Sequence, residues 1–139
     1  MAYTHFDAVS VKNGGFAVGK KGSEIAVIDA NRNVIAKSVY STVSALTPGA
    51  TVTLNCTLGD VFTLTPAESE TINATNLAPG QRVSVVITTS GTSSYTLTFS
   101  GNFKVTGTLA TGTTSGKVFT VTFISDGTNL NEVARTTAM

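Results

Sequence analysis

Residues 14–21 carry the spacing of glycine and lysine that could bind a phosphate group. The segment matches a phosphate-binding loop up to its last position, where Lys21 replaces the Ser or Thr that would hold magnesium. Such a loop also needs a following helix whose N-terminus faces the phosphates, whereas the residues after Lys21 are strand-like. We therefore expect these glycines to belong to a β-hairpin, and we predict no nucleotide site.

Cys56, the only cysteine, could act as a nucleophile only with a base nearby, and His5 is the only histidine. His5 lies in a terminal segment, and such segments are usually poorly ordered. The alternation of apolar and polar residues around Cys56 turns its side chain inward, so we expect a small hydrophobic residue of the core. A single cysteine also excludes an intramolecular disulfide and a multi-cysteine metal site.

Glu68 and Glu70 are the acidic pair that a glycosidase could use. Two residues apart on a strand, they would point to the same face and leave little room for a sugar between them. With no tryptophan and three tyrosines, the chain also lacks the aromatic platforms of such a site. We predict a solvated acidic loop instead, and the shortage of aromatic residues counts against a carbohydrate-binding groove.

Asp60 and the Asp126-Gly127 dipeptide could suggest a calcium site. No spaced series of acidic oxygens accompanies them, and Asp-Gly is a frequent hairpin turn. We therefore predict no metal site, no catalytic residue and no cofactor-binding residue.

Basic residues are concentrated near the start of the chain, where residues 1–37 hold five of the nine. Three acidic residues accompany them, which leaves a local charge of +2. These side chains could meet an acidic partner surface, and charges at the rim of an interface steer docking more than they hold it. Ordinary solvated turns explain them equally well. The predicted partner-binding residues are Lys12, Lys20, Lys21, Arg32 and Lys37.

The overall composition argues against several classes of partner. Charged residues make up 12% of the chain, against roughly 25% in ordinary globular proteins, and Thr, Ser and Gly take their place. A net charge of +1 gives no general attraction to nucleic acid or to an anionic membrane. No apolar run is long enough to span a membrane and no signal peptide is evident, so we expect a protein made and kept in a cytosol.

Two short hairpins are predicted in residues 1–45, which we expect to form an N-terminal arm with its linker. Residues 9–12 and 16–18 flank Asn13-Gly14-Gly15, and Asn-Gly favours a tight primed turn. Residues 24–28 and 33–36 flank a second turn formed by residues 29–32. Because two-stranded ribbons are marginally stable alone, this region is a candidate for an assembly arm.

Residues 46–139 are predicted to form the main body. Residues 51–58 alternate without interruption, which places Val52, Leu54, Cys56 and Leu58 on one face. Residues 67–77 are aperiodic and suggest an edge strand or a crossing loop, and the Thr/Gly-rich residues 106–116 suggest a mobile tip. About eight short strands fenced by turn residues predict an all-β fold, namely an antiparallel β-sandwich or jelly roll.

Four segments together resemble a β module that is common in virion proteins of tailed bacteriophages. They are Leu77-Ala78-Pro79-Gly80-Gln81-Arg82-Val83, the valine-rich strand that leads into Thr88-Thr89-Ser90-Gly91, the alternating strand of residues 95–99, and the closing residues 121–129, which end in Asp-Gly-Thr-Asn. Residues 13–19 and 25–29 also resemble the lead-in hairpins of phage head and tail decorations. Many relatives carry an aromatic residue after the Asp-Gly-Thr-Asn turn, whereas this chain has Leu130.

The resemblance, with the chain length of 139 residues, implies a capsid cement, or decoration, protein of jelly-roll type. It implies a structural protein and not an enzyme, which binds the outer surface of the capsid and stabilises contacts between major capsid protein subunits. Its partners would be the major capsid protein and a second copy of itself, with a dimer favoured over a trimer. It would be made in the bacterial host cytoplasm and end on the virion, without touching nucleic acid or membrane.

The alternative implied by the same resemblance is a small receptor-binding module of a tail fibre or baseplate that binds carbohydrate. An enzyme such as a depolymerase is disfavoured, because it would need acidic and aromatic residues that the chain lacks.

Overall fold

The computed structural model describes residues 40–139 in full and, before them, the strand backbones of residues 10–12, 15–20, 23–28 and 34–36. The chain divides into two compact units, Met1–Tyr40 and Ser41–Met139. The strands of the first unit are β1 (Ser10–Lys12), β2 (Gly15–Lys20), β3 (Ser23–Ile28) and β4 (Val34–Ala36). Those of the second are β5 (Val43–Ala45), β6 (Thr51–Asn55), β7 (Val61–Leu64), β8 (Glu70–Thr75), β9 (Arg82–Thr88), β10 (Thr96–Phe99), β11 (Phe103–Lys104), β12 (Leu109–Ala110), β13 (Val118–Ser125) and β14 (Leu130–Arg135).

The first unit is an antiparallel sheet in which β1, β2, β3 and β4 are neighbours in chain order. The pairing of β1 with β2 and of β3 with β4 agrees with the two predicted hairpins. Of the predicted turn residues, Gly15 begins β2, while Asn13, Gly14 and residues 29–32 lie outside the described residues.

The second unit is a parallel β-solenoid of about four turns, so the predicted antiparallel sandwich or jelly roll is wrong. From β5 to β12 the chain alternates between two sheets, contributing one strand to each sheet in every turn. In one sheet β5, β7 and β9 pair in parallel, and in the other β6, β8 and β10 do the same. Successive turns therefore stack with like strands above one another, whereas a jelly roll would pair them antiparallel.

Antiparallel strands close the later turns of the solenoid. β13 pairs antiparallel with β9, β14 pairs antiparallel with β13, and the short β11 pairs parallel with β14, which completes a six-stranded sheet. In the four-stranded sheet the short β12 pairs antiparallel with β10. The fold is thus parallel in its first three turns and mixed at its far end.

Alternating residues explain how both sheets bury one face. β6 alternates exposed and buried residues, and β9 and β13 bury every second side chain. The inward residues form a single hydrophobic core. Its centre includes Phe99, Phe103 and Phe123, whose ring centroids lie 5.1–5.7 Å apart in edge-on or tilted arrangements.

Three local predictions need correction. Leu58 lies beyond the end of β6 and is 57% exposed, so it is not part of the inward face. Residues 67–77 contain β8, which lies between β6 and β10 and is therefore neither an edge strand nor a loop. Residues 106–116 contain β12, where Leu109 and the following Thr111 are buried, so this segment is anchored to the body.

Candidate functional site

Residues 14–21, with their phosphate-loop spacing, include a strand and lead into another. β2 covers Gly15–Lys20, and β3 starts at Ser23. A phosphate-binding loop would lead into a helix at this point, whereas β2 pairs antiparallel with β3, so the expectation of a hairpin agrees with the backbone.

The predicted partner-binding residues are only partly placed by the structure. Lys12 ends β1 and pairs with Gly15, while Lys20 ends β2 and pairs with Ser23. These two lysines therefore lie near opposite ends of β2. Lys21, Arg32 and Lys37 lie outside the described residues.

Cys56 is buried, which confirms the prediction that it faces inward. Its side chain is 4% exposed, and burial raises the pKa of the thiol, with the Asp60 carboxylate adding to the effect. A raised pKa keeps the thiol protonated, whereas the thiolate is the nucleophilic form. The arrangement is therefore that of a core residue. His5, the suggested base, lies outside the described residues.

Glu70 contradicts the predicted solvated acidic loop, because it is only 2% exposed. It begins β8 and pairs with Leu97 of β10, on the same inward face as Ile72. Its Oε1 accepts a hydrogen bond from the backbone N–H of Ala67 at 3.4 Å, while Oε2 is buried with no partner among the described residues.

Burial raises the pKa of the Glu70 carboxyl above its ordinary value, and the neighbouring Glu68 carboxylate contributes in the same direction. The backbone N–H of Ala67, which donates to Oε1, acts against this shift, and so does the nearby backbone of Gly49. Glu68 itself is exposed, so the two carboxyls do not share one solvent-facing site as a glycosidase pair would.

Both oxygens of the Asp126 carboxylate accept hydrogen bonds from the turn that this residue begins. Its Oδ1 accepts hydrogen bonds from the backbone N–H groups of Thr128 and Asn129, and Oδ2 accepts from the side-chain amides of Asn129 and Asn131. These donors lower the pKa of the carboxyl well below its ordinary value. Residues 40–139 contain no cluster of His, Cys, Asp or Glu that could hold a metal ion. The turn interpretation of Asp126-Gly127 is thus confirmed.

The most regular surface of the solenoid is the outer face of the four-stranded sheet, which sequence analysis missed. Its outward side chains on the three parallel strands all carry hydroxyl or amide groups, and we call it the hydroxyl face. It consists of Thr51, Thr53 and Asn55 on β6, Thr71, Asn73 and Thr75 on β8, and Thr96 and Thr98 on β10.

The parallel register arranges these side chains in rows across the strands. Thr51 pairs with Thr71, which pairs with Thr98, and Thr53 pairs with Asn73. Neighbouring strands lie about 4.8 Å apart, and outward residues along one strand lie about 6.6 Å apart. The result is a regular two-dimensional array of hydrogen-bonding groups without a formal charge.

Part of the array is already engaged in internal hydrogen bonds. The Asn73 carboxamide accepts from Ser100, and Asn55 accepts from Thr57 and Asn76. Within residues 40–139 the hydroxyls of the Thr51–Thr71–Thr98 row have no hydrogen-bond partner. The alternating triplets Thr51-Val52-Thr53 and Thr96-Leu97-Thr98 are visible in the sequence, but only a parallel register brings them together.

Two shallow clefts border the first turn of the solenoid. One, of about 280 Å³, lies between β5 and β6 and is lined by Ser44, Leu46, Val52, Leu58 and Phe62 among others. The other, of about 420 Å³, is lined by Leu46, Pro48, Leu64, Pro66 and Ser90 among others. Neither contains a charged residue, so they could accommodate an uncharged partner but not anchor an ion.

Among the described residues, no helix is long and apolar enough to cross a membrane. No protein-family model matches this sequence, and no curated protein is significantly similar to it. The site is therefore interpreted from its own geometry, in which the hydroxyl face is the most extended feature.

Proposed function

We propose that the protein is a structural virion protein of a tailed bacteriophage, which binds the outer surface of the capsid and stabilises contacts between major capsid protein subunits. The proposal combines the sequence resemblance with one structural observation, the uncharged hydroxyl face. Protein interfaces are depleted of charge at their centres and carry many hydrogen bonds. A face of hydroxyl and amide groups on a hydrogen-bonded sheet meets both requirements.

The solenoid also suits a mechanical role in a shell. Its parallel strands are hydrogen bonded to one another from β5 to β9 and from β6 to β10, which keeps the face rigid. A rigid face loses little conformational freedom on docking. When many copies bind one shell, individually weak contacts add up if each copy bridges two subunits.

The basic residues of the first unit would assist this docking by steering. Lys12, Lys20, Lys21, Arg32 and Lys37 contribute a local positive charge, while the hydroxyl face has none. Attraction to an acidic capsid surface would raise the association rate, and the uncharged face would form the contact.

The second candidate is a carbohydrate-binding module of the tail, which the unpartnered threonine hydroxyls favour. Thr51, Thr71 and Thr98 could exchange hydrogen bonds with sugar hydroxyls along their row. Aromatic platforms are scarce, since Tyr40 and Tyr95 are the tyrosines among residues 40–139 and neither lies on this face.

The test is co-sedimentation of the purified protein with capsid shells stripped of it, run beside a glycan-binding panel. Saturable, stoichiometric binding to shells supports the cement function. Binding to a glycan without binding to shells would support the second candidate, a carbohydrate-binding module of the tail. Binding to neither would reject both functions.

Two lysine variants test whether the hydroxyl face is the surface that contacts the capsid. Thr71→Lys and Thr98→Lys put a charge on the hydroxyl face, away from the edge strand β6, and are expected to abolish docking. Thr88→Lys, on the outer side of the six-stranded sheet, is the matched control and should bind like the wild type. Undiminished binding by both hydroxyl-face variants would show that another surface docks.

A further inference from the structure

Among residues 40–139, the first turn of the solenoid is an uncharged end without a further strand beside it. No charged residue occurs between Lys37 and Asp60, a stretch that contains both β5 and β6. β5 is the last strand of the six-stranded sheet and β6 is the last strand of the four-stranded sheet. Within the part of the chain that the structure describes, both sheets therefore present an edge without a partner strand at the same end of the solenoid.

The backbone hydrogen bonds identify which groups are free at these edges. On the side of β8, the Ala50 carbonyl accepts from Thr71 and the Cys56 N–H donates to Thr75. Because bonding groups alternate in direction along a strand, the N–H and C=O of Thr53 point away from β8. The same alternation on β5, where Thr42 and Leu46 bond to β7, turns the backbone of Val43 and Ala45 outward.

The opposite end of the solenoid is protected in the usual ways. Its sheets finish in β11 and β12, which have two residues each, and β11 carries the exposed Lys104. Beside β11, Glu132 and Arg135 form an ion pair. Both side chains also make hydrogen bonds to the backbone of residues 106–108. Short strands and charges prevent sheet edges from pairing with other molecules. The first turn has longer edge strands and no charge.

Apolar surface accompanies the open edges. Val43 and Leu58 are 60% and 57% exposed. Between the two edge strands lies the cleft of about 280 Å³, where Val52 and Phe62 form part of the wall. Val43, Leu58 and this cleft thus give the first turn an apolar surface, while its inward residues Val52 and Leu54 are buried in the core.

We infer that this first-turn end is a homodimer interface, formed by a second copy of the chain docked end to end. A two-fold axis perpendicular to the sheets places β5 against the partner's β5 and β6 against the partner's β6, with each pair antiparallel. Both edges gain hydrogen bonds in one step, and the two clefts face each other.

The absence of charge favours a second copy over an unlike partner. In a two-fold interface a side chain near the axis approaches its own copy, so a charged residue placed there would be repelled by the same charge of the partner. The first turn avoids this penalty because it has no charge from Ser38 to Gly59. The inference does not depend on what the assembled protein binds.

Sedimentation velocity of the full chain over a wide concentration range tests the inference, and a dimer is expected. Leu58→Lys places like charges at the two-fold interface and should raise the dissociation constant by at least about tenfold. Thr53→Pro removes an outward N–H without touching the bonds to β8 and should have the same effect. Val133→Lys changes an exposed apolar residue elsewhere and is the control.

A wild-type protein that stays monomeric, or one that forms a trimer, would overturn the inference. A dimer that both Leu58→Lys and Thr53→Pro leave intact would also overturn it. Thermal unfolding establishes that each variant is folded. If Thr53→Pro fails to fold, Leu58→Lys decides alone, since Leu58 is exposed and lies outside the strands.

Discussion

The Nε2 of Gln81 donates a hydrogen bond to Oδ1 of Asp60 at 2.8 Å and so joins two successive turns of the solenoid. The same nitrogen donates to the carbonyl oxygen of Cys56, also at 2.8 Å. Asp60 lies between β6 and β7, and Gln81 lies just before β9. The Gln81 side chain therefore joins two segments: the connection between β6 and β7, and the connection that leads into β9.

Replacing Gln81 with Leu should destabilise the protein by about 1–3 kcal/mol, because it leaves the Cys56 carbonyl without this donor in a half-buried corner. Chemical denaturation measures the free energy of unfolding. Thr98→Val, on the exposed surface, is the control and should change it by less than about 0.5 kcal/mol. Equal stability of the two variants would mean that the corner is held by other contacts.

Gly127→Ala should destabilise the turn between β13 and β14. Gly127 has a φ of +93°, and a Cβ there would lie 2.8 Å from Cγ of Pro79. Backbone strain and a clash with a rigid ring act together, with an expected cost of about 1–3 kcal/mol.

Gly112→Ala separates these two causes. Gly112 also has a positive φ, of +71°, but nothing lies within 4 Å of its Cβ position. Its melting temperature should therefore fall less than that of Gly127→Ala. An equal fall would show that the contact with Pro79 is readily relieved.

The buried Glu70 should make stability depend on pH. Burial raises the pKa of its carboxyl above the ordinary 4.5, so the folded state binds the proton more tightly than the unfolded state. Its contribution is present below the unfolded-state pKa and is lost as the pH rises through the folded-state pKa. Glu70→Gln removes this titration.

The measurement is the free energy of unfolding of wild type and Glu70→Gln between about pH 4 and about pH 8. As the pH rises, the free energy of unfolding of the wild type should fall relative to that of Glu70→Gln. A difference that stays constant across this range would show that the carboxyl titrates alike in the folded and unfolded chain.

Neutralising the basic residues of the first unit should slow docking to shells. With Lys12, Lys20, Lys21, Arg32 and Lys37 changed to Gln, the association rate should fall and lose most of its salt dependence. Stopped-flow binding at two ionic strengths measures both effects. Lys104→Gln with Lys117→Gln in the second unit is the control. An unchanged rate would assign the five residues to ordinary solvated turns.

The strands and the inward residues were largely predictable from the sequence. Alternation correctly placed Val52, Leu54 and Cys56 inward, because period two is a property of any β-strand. Leu58 departs from this pattern because the strand has ended and the chain turns before reaching it. Alternation identifies a face only while the backbone stays extended.

The direction of strand pairing was not predictable in the same way. Parallel sheets usually have both faces buried and show continuous apolar runs, while antiparallel sheets often have one wet face and alternate. In this solenoid both sheets pack on one core and turn their outer faces to water, so Thr51-Val52-Thr53-Leu54 has the pattern of an antiparallel strand. Glu70 contributed to the wrong fold prediction. A carboxylate suggests an exposed loop, so the start of β8 was not recognised in the sequence.

The rows of the hydroxyl face also have an evolutionary consequence. Thr51, Thr71 and Thr98 come from three separate turns, and their buried neighbours Val52, Ile72 and Leu97 point the other way. Selection can therefore change the composition of a row one turn at a time while the core stays constant. Single substitutions can therefore adapt such a surface to a partner whose own surface changes. Each intermediate sequence still folds, because the core residues are untouched.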